Sequence, residues 1–274
     1  MTLWEVMINL VAIIMDALYQ LTQNPNLPHG DVRALITTDE EIGKGVANVD
    51  LTLLDADFGY TLDAGNLGSF EYENFSANSL SITFHGKSAH PGYAKGKMEN
   101  SMKIAAAFLD ALPKDSMTPE TSDAKQGFIH PTKLEGVLER TTVQFILRDF
   151  ETAKLDEYKR LIEDTADKIL VQFPNSSYSI EVKEQYRNMR DVIDLHPYVI
   201  EVALNAMEKV GVTPDIGSIR GGTDGAVLSH KGLPCPNLFA GMQAIHSKHE
   251  WVCVQDMEKG VDTVIAICDI VSKM

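Results

Sequence analysis

"SLSITFHG", Ser79 to Gly86, is where the pattern of the chain changes. Leu80, Ile82 and Phe84 alternate with Ser81 and Thr83, which predicts a strand with one buried and one wetted face. Further on, "KMENSMKIAAAFLDALP" predicts a helix. Met98, Met102, Ala105, Ala106, Leu109 and Leu112 lie near helical spacing, and Pro113 is its stop. "KLEGVLE" and "TTVQFILRDF" read as two strands around Arg140. "TAKLDEYKRLIEDTADKILVQF" places Leu155, Tyr158, Leu161, Ile162, Ile169 and Leu170 on one helical face. "SYSIEVKEQY" then alternates Tyr178, Ile180 and Val182. The order β-α-β-β-α-β is that of the ferredoxin-like unit, so residues 78–190 are expected to form a domain of their own.

Outside that segment the rhythm is α/β. "LWEVMINLVAIIMDAL", Leu3 to Leu18, is apolar, but Glu5, Asn9 and Asp16 interrupt it. It has no basic leader region or small-residue cleavage site and is too short to span a bilayer, so a helix of a soluble protein is expected. "VRALITT" (Val32 to Thr38) and "FGYTLD" (Phe58 to Asp63) read as buried strands. After Arg190 come a helix from near His196 to Val210, a short strand into "IRGGTDGAVLSHKGLP", a strand at "CPNLFAG" and a closing helix, "DMEKGVDTVIAICDIVSKM". The expected architecture is a discontinuous α/β domain, residues 1–77 with 191–274, interrupted by the inserted unit.

The chain has 274 residues, 44% hydrophobic and 23% charged, ordinary values for a globular protein with a sizeable core. A net charge of −15 argues against nucleic acid or an anionic membrane as partner. Cys235, Cys253 and Cys268 form neither a metal-type spacing nor an even disulfide set, which fits a reducing, cytoplasmic compartment.

"ITTDEEIGKG", Ile36 to Gly45, sets Asp39, Glu40 and Glu41 in a row at a predicted strand end, and Asp63 ends the next strand. Acids side by side repel; a bound cation is one account of them and a solvated acidic turn is the other. "HSKHE", His246 to Glu250, brings imidazoles and a further acid to another strand end. Zinc accepts such mixtures, with bonds of about 2.0–2.2 Å. Two adjacent glutamates aim at one point only if the backbone turns sharply, so the economical arrangement makes one a ligand and the other a proton shuttle. Asp224, His249 and Glu250 are further candidates, whereas His85, His130, His196 and His230 read as structural. "IRGGTDGA" lacks the Lys-Ser/Thr of a phosphate loop, but Arg220 beside its glycines suits a carboxylate. "SAHPG" puts His90 at the mouth of the inserted unit, where a turn histidine is the competing account.

Together, "PHGDVRALITTDEEIGKG", "YTLDAGNLGSFEYENF", "AHPGYAKG", "RNMRD", "IRGGTDGAVLSHKGLPCPNLFAG" and "IHSKHEWV" resemble the M20 family of zinc metallopeptidases, and within it the branch that acts on tripeptides. The resemblance implies a discontinuous zinc-peptidase catalytic domain with an inserted ferredoxin-like lid, two zinc ions, and release of the N-terminal residue from a small peptide. It implies that Glu40 is the general base, that Glu41 and His246 bind one zinc, and that Asp63 binds the other. Asn188, Arg190 and Arg220 would hold the substrate carboxylate, and His90 would stabilise the oxyanion or hold substrate.

Two family motifs do not occur. One is His-x-Asp on an earlier strand; the other is Gly-[Ala/Gly]-Asp-Asp-Lys-[Ala/Ser]-Gly, whose aspartate bridges the metals. The second is expected just before "IIMDALYQ", where this chain reads "LWEVMINLVA". One back-translation of Leu-Gly-Gly-Asp-Asp-Lys-Ser-Gly, read a base later, gives Trp-Glu-Val-Met-Ile-Asn-Leu, the residues from Trp4 to Leu10. A frameshifted, N-terminally truncated family member is therefore expected, poor or inactive as a peptidase and weak in zinc retention. The alternatives are a non-catalytic remnant, or another M20 hydrolase acting on dipeptides or acyl-amino acids.

Overall fold

A computed structural model describes residues 4–274, with side chains from residue 9 onward. Leu3, at the head of the apolar N-terminal segment, lies outside the described residues. In chain order the elements are α1 (Trp4–Gln23), a 3₁₀ turn (Glu40–Ile42), α2 (Leu51–Leu54), β1 (Thr61–Ala64), β2 (Ser69–Asn74) and β3 (Ser76–His85). Then follow α3 (Ser101–Ala111), β4 (Phe128–Val137), β5 (Arg140–Asp149), α4 (Thr152–Leu170), β6 (Ser177–Tyr186), α5 (Arg190–Ile193) and α6 (Pro197–Lys209). The last are β7 (Asp215–Ile219), α7 (Asp224–Lys231), β8 (Asn237–Phe239), β9 (Met242–Gln243), β10 (Trp251–Val252) and α8 (Val254–Val271). They fold as two units, one made of the chain up to Asn74 with Asn188–Met274, the other Phe75–Arg187.

The Phe75–Arg187 unit is one antiparallel sheet of order β4-β5-β3-β6, with α3 and α4 on one face. The alternation that predicts β3 is what buries it: Leu80, Ile82 and Phe84 are at most 1% exposed and pack with Ile104, Phe108 and Ile162 from the two helices. Helix α3 begins later than its apolar run, because Asn100 caps it by accepting from the Met102 amide at 2.9 Å. The β-α-β-β-α-β order is thus realised as a split βαβ sheet.

The ends of this unit leave side by side, since Ala77 pairs with Tyr186. With its own core and adjacent termini, excised 75–187 is expected to unfold cooperatively in urea. Phe84→Ala within it should cost about 3–5 kcal/mol. A broad, probe-dependent transition for the excised unit would contradict an independent core.

The other unit is built on a mixed sheet of order β1-β8-β2-β7: β1–β8 and β2–β7 are parallel, β8–β2 antiparallel. α1, α6 and α8 cover one face, where Leu62, Phe70 and Leu238 meet Ile13, Val202, Met207 and Val261. α1 and α8 come close at Gly260, where a Cβ would sit 3.1 Å from Ile13 Cδ1. Among the described residues no helix is long and apolar enough to cross a membrane.

One strand expectation needs correction. Val32–Thr38 is not a strand: no other strand pairs with it, and Leu35 and Ile36 are 36% and 57% exposed. An apolar run becomes a strand only when a neighbour supplies the ladder, and none of the described strands does so. Conversely, β2 lies inside the sheet although "SFEYEN" holds four polar residues, Ser69, Glu71, Glu73 and Asn74; its alternating Phe70 and Tyr72 mark the more buried face.

Candidate functional site

The acidic run sits on the 3₁₀ turn, closed at both ends by left-handed residues, Asp39 (φ 64°) and Gly43 (φ 68°). Gly43 N–H donates to Glu40 O at 2.7 Å and Lys44 N–H to Asp39 O at 3.0 Å. The turn and the segment after it are tied to both ends of α7. Thr37 Oγ1 donates to Asp224 Oδ2 at 3.0 Å, and Lys231 Nζ reaches Val46 O and Ala47 O at 2.5 and 2.7 Å. Gly45 lets the turn pass the Asp224 carboxylate, which a Cβ there would overlap. Asp224 itself is buried in the first turn of α7, where the helix dipole favours negative charge.

The second arm is the loop carrying His246. Its Nε2 lies 3.5 Å from Glu41 Oε2, while Ala244 and His246 hold left-handed φ values of 53° and 61°. Such backbone costs on the order of 1 kcal/mol at a non-glycine residue. Adjacent residues on a 3₁₀ turn diverge by about a third of a circle, so Glu41 meets His246 while Glu40 takes another direction.

Glu40 is pushed up from 4.5 to about 7, first by burial and then by Asp63, Asp224 and Glu41, with His246 opposing. Asp63, on β1, is pushed up from 3.8 to about 7 by burial, Glu71, Glu41 and Asp224. Asp224 is raised mainly by burial, against the hydrogen bond from Thr37. Acids from three segments therefore share one field, and they are held together at a cost that a cation would relieve.

A divalent ion would find carboxylate oxygens and an imidazole nitrogen here, and Glu250 Oε1 on the same loop as His246 is buried without a hydrogen-bond partner. That donor chemistry fits a metal. The expected convergence of Glu41, Asp63 and His246 is nevertheless only partial. Among the described residues no three His, Cys, Asp or Glu are gathered closely enough to hold an ion. Asp63 is anchored in the sheet, whereas Glu41 and His246 ride on loops, and His246 is 68% exposed.

The remaining expected residues are placed differently. Arg190 Nε contacts Asp194 Oδ2 at 3.2 Å and its Nη1 contacts Glu73 Oε1 at 3.4 Å, so the guanidinium already holds carboxylates. Arg220 follows β7 directly. Asn188 is buried, and its Oδ1 accepts from the Asn74 and Arg190 amides at 3.1 and 3.0 Å. His90 belongs to the Phe75–Arg187 unit, where its Nδ1 accepts from Gly92 N–H at 3.2 Å and its ring lies against Tyr93.

Sequence reasoning missed Glu71. It lies on β2 in register with Asn237 and Gly217, and burial together with Asp215 pushes it from 4.5 up to about 7. The alternation of "SFEYEN" was the available signal. A raised carboxyl binds its proton more tightly in the folded state. Its stabilising contribution is therefore complete below about pH 4.5 and lost as pH climbs through about 7. Glu71→Gln is expected to shrink the stability lost between pH 5 and pH 8 by about 1–3 kcal/mol, measured by urea unfolding. Parallel pH profiles for the two proteins would remove Glu71 from this field.

Residues 72–174 match the M20 peptidase dimerisation domain. The chain is 44% identical over 259 residues to a peptidase T of Exiguobacterium sibiricum, covering 94% of this chain and 63% of the relative, so it spans somewhat less than two thirds of that protein's length. The crystal structure of the aminopeptidase PepT of Bacillus cereus superposes with a TM-score of 0.80 at 25% identity, over 96% of this chain and 70% of that one. A dinuclear metal binding peptidase of the M20 family from Bacillus subtilis shares the fold, with a TM-score of 0.71 at 13% identity over 97% of this chain and 72% of its own. On sequence and fold together, the chain is similar to the peptidase T proteins and has the M20 peptidase fold.

Proposed function

We propose that this chain is a metal-dependent aminopeptidase that releases the N-terminal residue of tripeptides, with zinc as its metal. The observation that carries the reading is the approach of His246 to Glu41 beside the mutually repelling Glu40, Asp63 and Asp224. It supports a cation site in a chain 44% identical to a peptidase T. Glu41 and His246 would hold one zinc and Asp63 a second.

When bound, zinc supplies Lewis acidity that polarises the peptide carbonyl and makes water nucleophilic near neutral pH. Glu40 takes the proton of the attacking water and returns it to the leaving amine. Arg190 and Arg220 grip the C-terminal carboxylate; gripping that end while cutting after the first residue fixes the length of peptide that fits. His90 is assigned to the substrate by the resemblance alone. Three free thiols, Cys235, Cys253 and Cys268, support a cytoplasmic setting. The charge of −15 supports a small peptide rather than nucleic acid as partner.

One observation favours a second reading. With no three donors gathered among the described residues, the chain would bind peptide without cleaving it. Hydrolysis at saturating zinc of Leu-Gly-Gly, Leu-Gly, a tetrapeptide and an N-acetyl amino acid separates the cases. Selective cleavage of the tripeptide supports the first reading; preference for the dipeptide or acyl substrate points to another M20 activity, and no cleavage to the second.

A further inference from the structure

β2 ends on Glu73 and Asn74, and at that point three segments of the same unit meet. Asn74 is fully buried. Its Oδ1 accepts from Met189 N–H at 2.7 Å, its Nδ2 reaches Gly221 O at 3.5 Å, and its own N–H donates to Asn188 Oδ1 at 3.1 Å. Asn188 Oδ1 also takes Arg190 N–H at 3.0 Å, and Asn188 O lies 2.8 Å from His230 Nε2 on α7. One residue earlier on the strand, Glu73 holds the Arg190 guanidinium. The Asn188 carboxamide thus takes the Asn74 amide while the Asn74 carboxamide takes the amide of Met189, and through them the end of β2 is fastened to the segment bearing Arg190 and the loop bearing Arg220.

We infer that Asn74 and Asn188 are positioning residues that set Arg190 and Arg220 for the substrate carboxylate. This rests on the proposed carboxylate grip. It replaces a direct substrate contact by Asn188, whose oxygen is committed to two backbone amides. A clasp of this kind suits that role. A buried carboxamide has a fixed rotamer, and the bonds named above are made to main chain, so it sets segment positions.

The test compares Leu-Gly-Gly with its C-terminal amide by NMR titration of the full chain. The unaltered chain is expected to prefer the free acid by roughly tenfold or more. Asn74→Leu should cut that preference to within about threefold while leaving affinity for the amide nearly unchanged. Asn188→Asp keeps the acceptor for both amides and should retain the preference. If Asn188 instead touched the substrate, the introduced charge would repel the carboxylate and invert the preference.

Equal binding of acid and amide by the unaltered chain defeats the carboxylate grip itself, and the inference with it. A preference retained in folded Asn74→Leu, or inverted in folded Asn188→Asp, overturns the positioning role alone. Should Asn74→Leu not fold, Asn74→Asp takes its place, keeping the bond to Met189 and losing the donor to Gly221. It is expected to show a reduced preference, and an unchanged one counts against the inference.

Discussion

Zinc bound to the purified chain is expected to exchange into chelator at least about 100-fold more readily than zinc held by a closed set of protein donors. The comparison is made by competition with a zinc indicator and by elemental mass spectrometry after dialysis. Among the described residues of the site, Glu41 and His246 alone form an acid–imidazole contact, at 3.5 Å, and both lie on loops whose backbone is held left-handed at Asp39 and His246. Asp63 is fixed on β1 and joins them only through its field. Closing such donors on an ion costs loop rearrangement and the desolvation of an exposed imidazole. Losing a mere orienting contact around a metal costs about 10–100-fold in affinity, so a missing direct donor costs more. His246→Ala, which removes the only imidazole of the pair, should abolish detectable retention, whereas His249→Ala should leave it nearly unchanged. Tight retention of two ions after dialysis would show that the donors close readily, and the weak-site account would be wrong.

The parts of the fold legible in the sequence are those in which burial follows directly from period. The inserted unit is the clearest case, because Leu80, Ile82 and Phe84 alternate over a core supplied by its own two helices. "SYSIEVKEQY" coincides with β6 from Ser177 to Tyr186 for the same reason. The elements misread or left unread depend on partners distant in the chain. Val32–Thr38 has the composition of a buried strand but no ladder, while β2 looks polar yet lies between β8 and β7. The site divides along the same line. Asp39, Glu40 and Glu41 stand out as a charge run whatever the fold. Glu71, 30 residues beyond Glu41, enters their field only because β8 sets β1 and β2 on either side of it. The Asn74–Asn188 clasp was equally hidden. Nothing local marks an asparagine whose partner is 114 residues away.

Glu40→Gln is expected to lower hydrolysis of Leu-Gly-Gly at saturating zinc by at least about 100-fold, the usual scale for removing a positioned general base. The change keeps the side chain's volume and removes one of several acids that repel each other, so the fold should be undamaged and its urea midpoint equal or higher. Zinc affinity should move little, because Glu40 diverges from Glu41 on the 3₁₀ turn and makes no contact with His246 among the ion pairs of the described residues. Glu41→Gln should do the reverse, weakening zinc retention strongly while hydrolysis recovers in part as zinc is raised. The pair of variants thus separates moving a proton from holding the ion, which two neighbouring acids in a sequence cannot do. If Glu40→Gln retains the rate of the unaltered protein, the proton must travel by another route, and Asp224, buried and tied to the same turn through Thr37, is the next carboxylate to test. If the unaltered chain shows no cleavage even at saturating zinc, peptide binding without hydrolysis becomes the better account.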